Sequence, residues 1–193
     1  VLPLTLLGSQ DRVGYGRSVE KLLRHVVENA SYPKRDCAVI LQGDFTENPD
    51  DVISLVKILE GGSDIVAGVT DMNGHRMPLG VKIVRSLSRW PLSTVFRGAP
   101  VSDPLNGLRA YRVIVLKKAL RDGPGDEPLV STEGWAANVE LLSRLVPHAR
   151  RIAEVPAEVR HDLRQRESRF RPLSTLMALM KLRRRDLWPT SNP

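Results

Sequence analysis

Between residues 18 and 68 the chain alternates two kinds of apolar pattern, and that alternation restricts its folding more than any other feature. In residues 18–30, Val19, Leu22, Leu23, Val26 and Val27 recur at helical spacing with charges between them. Residues 37–41 (CAVIL) form a continuous apolar run instead, the pattern of a strand buried on both faces. Pro49 then opens a second helix. Asn48 stands where an N-cap is wanted, Asp50 and Asp51 fall in the first turn, and Gly61-Gly62 ends it. Residues 64–68 (DIVAG) are a further short strand, and residues 1–7 read as a buried strand ahead of the first helix. This order predicts an α/β fold, a mostly parallel sheet flanked by helices. In such sheets ligands bind beyond the carboxyl ends of the strands. Residues 42–48 lie at one of those ends.

The rest of the chain is less regular. Residues 71–80 are rich in Gly, Asn and Pro and predict a mobile loop, and residues 81–96 a helix broken at Pro91. A turn cluster at 103–107 precedes the strand-like LRAYRVIV of residues 108–115. Residues 132–146 are helical, with Leu141, Leu142 and Leu145 on one face. Residues 152–159 predict a strand at the sheet edge, because Pro156 would remove a ladder hydrogen bond from a central one. Residues 174–185 are a basic amphipathic helix. The division expected is one α/β domain over 1–172, then a basic helix and tail over 173–193.

Composition narrows the partners. A chain of 193 residues with 41% hydrophobic content suits one globular domain. No apolar run approaches the ~20 residues of a membrane-spanning helix. The N-terminus has no basic stretch and no small-residue cleavage site, so it does not read as a signal peptide. Cys37 is the single cysteine, which leaves no internal disulfide and leans toward a reducing compartment. The net charge of +7 favours phosphate-rich partners. Aromatic content of 5% argues against a stacking platform for nucleic acid, and no nucleic-acid motif is present. The positive charge concentrates in residues 164–171 and 181–185.

Four candidate groups stand out, each with an ordinary alternative. Asp44, with Gln42 and Thr46 beside it, offers hard oxygen ligands suited to Mg²⁺ or Mn²⁺. Taken alone, Asp44 is also an ordinary Asx-turn residue leading into the Pro49 helix. Asp103 stands at a turn where it could act as a general base, and Asn106-Gly107 would let backbone approach a ligand closely. A Pro-containing turn before a strand explains the same residues. Lys82, Arg85, Ser86 and Arg89 share one side of a helix and could clamp a phosphate. A solvated basic face does as well. The C-terminal helix has an apolar stripe with a basic end, suited to an anionic membrane surface or to packing on the domain. The four histidines show no metal-ligand spacing.

In order, the stretches GYGRSVEKLL, VILQGDFTENPDDV, GGSDIVAGV, SDPLNGLRAYR, EGWAANVELLSRL and RIAEVPAEVR resemble family 2 glycosyltransferases of the GT-A fold. The polyprenyl-phosphate, dolichol-phosphate mannose synthase-like branch is the most similar. The resemblance runs over nearly all of residues 12–170. It implies that Asp44 matches the last Asp of a D-x-D metal and diphosphate ligand, Gln42 its first Asp, and Thr46 the Gln that follows. It implies that Asp103 sits at the reacting centre. Lys82 and Ser86 match an acceptor-phosphate clamp, with Arg85, Arg89, Asn106, Gly107, Arg109, Ser168 and Arg169 as further phosphate contacts. Two departures stand out. Gln42 replaces a carboxylate, and the family's opening portion, with its P-x-x-N-E and D-D-x-S stretches, has no counterpart. The expected form is therefore an N-terminally shortened GT-A domain.

The function this implies is a metal-dependent, inverting hexosyltransferase at the cytoplasmic membrane face. It would use a nucleotide-sugar donor, a polyprenyl-phosphate acceptor and Mg²⁺ or Mn²⁺, with a homo-oligomer compatible with all of these. Two alternatives stay open: a degenerate GT-A-like module that binds membrane or a protein partner, and a transferase with a soluble acceptor.

Overall fold

The computed structural model describes residues 3–8, 11, 13–44, 46–70, 93–123, 128–158, 172–182 and 187–188. In chain order these form helix α1 (Tyr15–Asn29), strand β1 (Cys37–Ile40), helix α2 (Asp51–Glu60) and strand β2 (Ile65–Thr70). A helical turn α3 (Ser93–Phe96) and strand β3 (Arg109–Arg112) follow, then helices α4 (Val113–Arg121) and α5 (Trp135–Leu145). A 3₁₀ turn (Val146–His148), strand β4 (Ile152–Ala157) and helix α6 (Pro172–Leu182) complete the described elements.

The four strands make one sheet in the order β1-β3-β2-β4. β3 runs antiparallel to both β1 and β2, and β4 runs parallel to β2. The expected α/β fold is therefore present, but with a mixed sheet. β1, β2 and β4 point the same way, and β3 is inserted between two of them in the opposite sense. An apolar run records that both faces of a strand are covered and does not record the direction of its neighbour. Among the described residues β4 lies at the edge of the sheet, as Pro156 leads one to expect.

Three expectations change. Residues 3–8 form no strand, and Leu4 and Leu6 are 91% and 88% exposed. Their apolar alternation has no partner strand among the described residues. Among the described residues β1 also lies at an edge, with Cys37 exposed, Ala38 buried and Val39 and Ile40 intermediate, rather than buried throughout. The strand expected over 108–115 stops at Arg112, where Val113 begins α4. The β-branched Val-Ile-Val favours a strand locally, but Val113, Leu116 and Ala119 at helical spacing bury a helix face, and packing overrides propensity.

The sheet is covered on both sides. On one side α1, α4 and α5 enclose Val19, Leu23, Tyr111, Leu116, Leu141 and Leu142. On the other, Leu55 and Leu59 of α2 meet Val66, Ala110 and Val155. A third cluster joins α5 to α3 and α6 through Val95, Val139, Leu179 and Leu182. α6 is thus docked on the domain by Leu179 and Leu182, both fully buried, while Leu173, Met177 and Met180 stay 76%, 64% and 54% exposed.

Candidate active site

The carboxyl ends of β1 and β2 and the amino end of the reversed strand β3 lie at one edge of the sheet. Ile40 pairs with Arg109, and the Gly68 N–H donates to the Leu108 carbonyl (2.9 Å). Residues 41–44 and 102–107 leave the sheet at this edge.

Asp44 forms an Asx-turn, the ordinary reading of its sequence. Its Oδ1 accepts from the Thr46 N–H (3.2 Å) and from the Thr46 hydroxyl (2.5 Å). Outside this closure lies a wider one. Glu47 accepts from the Gln42 N–H at 2.7 Å and from the Gln42 side-chain amide at 3.4 Å. Glu47 is 4% exposed. Burial pushes its carboxyl up to about 7, the charges of Asp44 and Asp51 push the same way, and the Gln42 hydrogen bonds oppose them. Asn48 then accepts from the Asp50 N–H (3.1 Å) in the turn that leads into α2, but the helix begins at Asp51 with Asp50 in the cap position and no side-chain cap bond, so the start expected at Asn48-Pro49 is displaced by two residues.

The second loop is pinned at several points. The Asp103 carbonyl accepts from the Asn106 N–H (3.3 Å), and Asp103 itself is 7% exposed. The Asn106 amide donates to the Thr70 hydroxyl at the end of β2 (3.2 Å) and accepts from the Leu108 N–H (2.9 Å). Ser102 donates through its hydroxyl to Glu154 of β4 (2.9 Å).

Gly107 sits where the two loops meet. A Cβ there would lie 3.0 Å from the Tyr15 hydroxyl, 3.2 Å from Asn138 Nδ2 and 3.5 Å from Gln42 Nε2. The close approach expected at Asn106-Gly107 is thus made by the protein's own side chains. Tyr15 donates to Asn138 Oδ1 (2.9 Å), and burial first, then neighbouring Tyr111 and Glu47, raises its phenol to about 12. Asn138 donates in turn to the Leu105 carbonyl (2.9 Å).

Arg109 is placed differently from the expected phosphate contact. It is 1% exposed, and its two terminal nitrogens donate to the carbonyls of Asn138 (2.7 Å) and Pro104 (2.6 Å). Those bonds make it a clamp between α5 and the 102–107 loop. Lys82, Arg85, Ser86, Arg89, Ser168 and Arg169 lie outside the described residues, as does the loop expected at 71–80.

Sequence reading missed two groups. Glu47 follows Thr46 directly, and only its lone carboxylate before an N-cap could have marked it. Tyr15 and Asn138 are 123 residues apart, and no local pattern joins them.

The acidic turn offers few charged donors to a divalent cation. Among the described residues no three His, Cys, Asp or Glu side chains cluster as a metal-binding group. A closed protein cage for a metal therefore does not fit. An ion held by one carboxylate and completed by substrate phosphates does fit, since Mg²⁺ is commonly bound that way. Asp44 would be its charged protein ligand, with Thr46 and Gln42 beside it.

The class of protein this architecture defines is an α/β domain with a small mixed sheet flanked by helices, as in GT-A-like glycosyltransferases. Among solved structures it is similar to glucosyl-3-phosphoglycerate synthase from Mycobacterium tuberculosis, determined in complex with phosphoglyceric acid. The TM-score is 0.51 at 20% identity, over 95% of this chain and 59% of that chain. The chain thus spans little more than half the length of that enzyme. No protein-family model matches the sequence, and no curated protein matches it.

Proposed function

We propose that this chain carries a GT-A-like glycosyltransferase site that moves a sugar from a nucleotide-sugar donor to an acceptor bearing a phosphate. One observation carries the reading. The acidic turn at 42–47 and the Asp103–Gly107 loop meet at the carboxyl-end edge of a sheet whose fold resembles that of a glycosyltransferase. Open α/β sheets bind ligands at that edge.

In this reading Asp44 holds Mg²⁺ or Mn²⁺ together with the donor diphosphate. The bound ion supplies neutralisation of the charge that develops on the leaving diphosphate. Asp103 orients the acceptor and takes its proton where the acceptor is a hydroxyl. Asn106, Gly107 and Arg109 shape the loop that carries Asp103. Lys82, Arg85, Ser86, Arg89, Ser168 and Arg169 supply cations and hydroxyls for phosphate. Inversion follows if the acceptor is lined up behind the anomeric carbon, opposite the diphosphate.

The acceptor has two sources with one shared chemistry, a phosphate anion. A polyprenyl phosphate at the cytoplasmic membrane surface is supported by α6, whose outer stripe of Leu173, Met177 and Met180 is exposed and runs into Lys181 and the arginines 183–185 of the sequence. No helix among the described residues is long and apolar enough to cross a membrane, so contact through α6 would be peripheral. A soluble phosphorylated acceptor is supported by the phosphoglyceric acid bound to the similar enzyme. One assay separates them. The chain is given radiolabelled UDP-glucose or GDP-mannose with Mn²⁺ and offered phosphoglyceric acid, polyprenyl phosphate in vesicles, or no acceptor. Label in the lipid supports the first source and label in phosphoglyceric acid the second. Absence of transfer to both, with vesicle binding retained, would favour a non-catalytic membrane-binding module.

A further inference from the structure

Glu47 is a buried carboxylate with no ion pair among the described residues, and both its oxygens are engaged by one residue, Gln42. A carboxylate withdrawn from water and left without a cation is costly, and an apolar side chain would serve the core better. The hydrogen bonds it makes explain its presence. They join the residue leaving β1 to the residue entering α2, and so close the turn on which Asp44 stands. Within that closure Asp44 is held by Thr46. The Gln42 amide also reaches the position over Gly107, which links this turn to the loop bearing Asp103.

We propose that Glu47 is the positioning residue of the site: it fixes the Gln42 main chain and amide, sets the shape of the turn that presents Asp44, and so governs donor affinity rather than the transfer step. The kinetic part rests on the glycosyltransferase reading above, while the structural part stands without it. The same arrangement accounts for Gln at position 42. A carboxylate there would face the Glu47 carboxylate, whereas an amide can donate to it.

The test uses Glu47→Met, which fills the buried space without an acceptor, and Glu47→Gln, which keeps an oxygen for the Gln42 N–H. Amide hydrogen exchange is read at residues 42–46 and, as a control, in β2. Glu47→Met is expected to speed exchange across 42–46 by about tenfold or more with β2 unchanged, and Glu47→Gln to retain most of the protection. Binding of UDP-glucose and GDP-mannose with Mn²⁺, read by calorimetry, is expected to weaken about tenfold in Glu47→Met and to stay within about threefold in Glu47→Gln, with kcat changed little in both. Unchanged exchange at 42–46, a parallel loss in β2, or equal effects of the two substitutions would overturn the positioning role. If the wild type binds neither nucleotide sugar, the glycosyltransferase reading falls, and the exchange data still decide whether Glu47 holds the turn.

Discussion

Gly107 and Glu47 are the positions where single atoms matter most. A methyl group at Gly107 would press on the Tyr15 hydroxyl and Asn138 Nδ2, at 3.0 and 3.2 Å. Gly107→Ala is therefore expected to cost about 1–3 kcal/mol, the usual range for overpacking, with a lower midpoint in urea unfolding. An unchanged midpoint would mean that the two side chains move aside freely. Glu47 makes a prediction in pH. Its folded carboxyl is raised to about 7 from an ordinary value of 4.5. Between those values the native state holds a proton that the unfolded chain has released. Its stabilising contribution is therefore complete below about pH 4.5 and lost as pH rises through about 7. The loss is on the order of 3 kcal/mol at one pKa unit per 1.36 kcal/mol. Glu47→Gln has no such proton, so the difference in Tm between wild type and variant should shift in the variant's favour from pH 4.5 to pH 8. A difference that stays flat across this range would show that Glu47 titrates normally. Asp44 was legible as a site candidate from its place after an apolar run. Glu47 was not, because its meaning lies in a bond to Gln42 that only the folded turn forms.

At the scale of elements, α6 carries the clearest conflict between pattern and placement. An eleven-residue helix with one described charge, Lys181, is apolar around most of its circumference. One side is used: Leu179 and Leu182 are fully buried against α3 and α5. Leu179→Ala should cost about 2–5 kcal/mol, the range for a large-to-small change in a core, and should release α6 to proteolysis before the rest of the domain. Loss of less than about 1 kcal/mol would show that α6 is not held there. The opposite side makes an independent prediction. Met177→Glu lies on the 64%-exposed stripe and should leave stability within about 0.5 kcal/mol. It should nevertheless reduce sedimentation with vesicles containing phosphatidylglycerol, if that stripe meets lipid. Equal sedimentation of the two proteins would remove α6 from the membrane reading. α5 shows the reverse case, a helix buried nearly throughout with Glu140 among its buried residues. Burial alone would raise that carboxyl, but hydrogen bonds from the hydroxyls and N–H groups of Thr132 and Ser131 outweigh it and bring it below the ordinary range. The helix was legible from its leucines. That Glu140 organises the preceding loop was not.

For the whole molecule the decisive measurement is donor binding. Asp44→Ala should abolish calorimetric binding of UDP-glucose or GDP-mannose with Mn²⁺, with Tm read alongside as the control for folding. Binding that survives the substitution would take the metal and diphosphate away from this turn. The sequence by itself determined the α/β class, the extents of α1, α2 and α5 to within a few residues, the edge position of β4 through Pro156, and the turn at the end of β1. Periodicity and punctuation encode these features, because the face a segment buries and the point where it must stop are local properties of the chain. The tertiary structure decided the rest: the reversal of β3, the exposure of Leu4 and Leu6, the withdrawal of Arg109 into a clamp, and the meeting of Gln42, Gly107, Tyr15 and Asn138. These depend on which distant segment lies alongside, and a pattern of burial specifies that a face is covered without specifying by what.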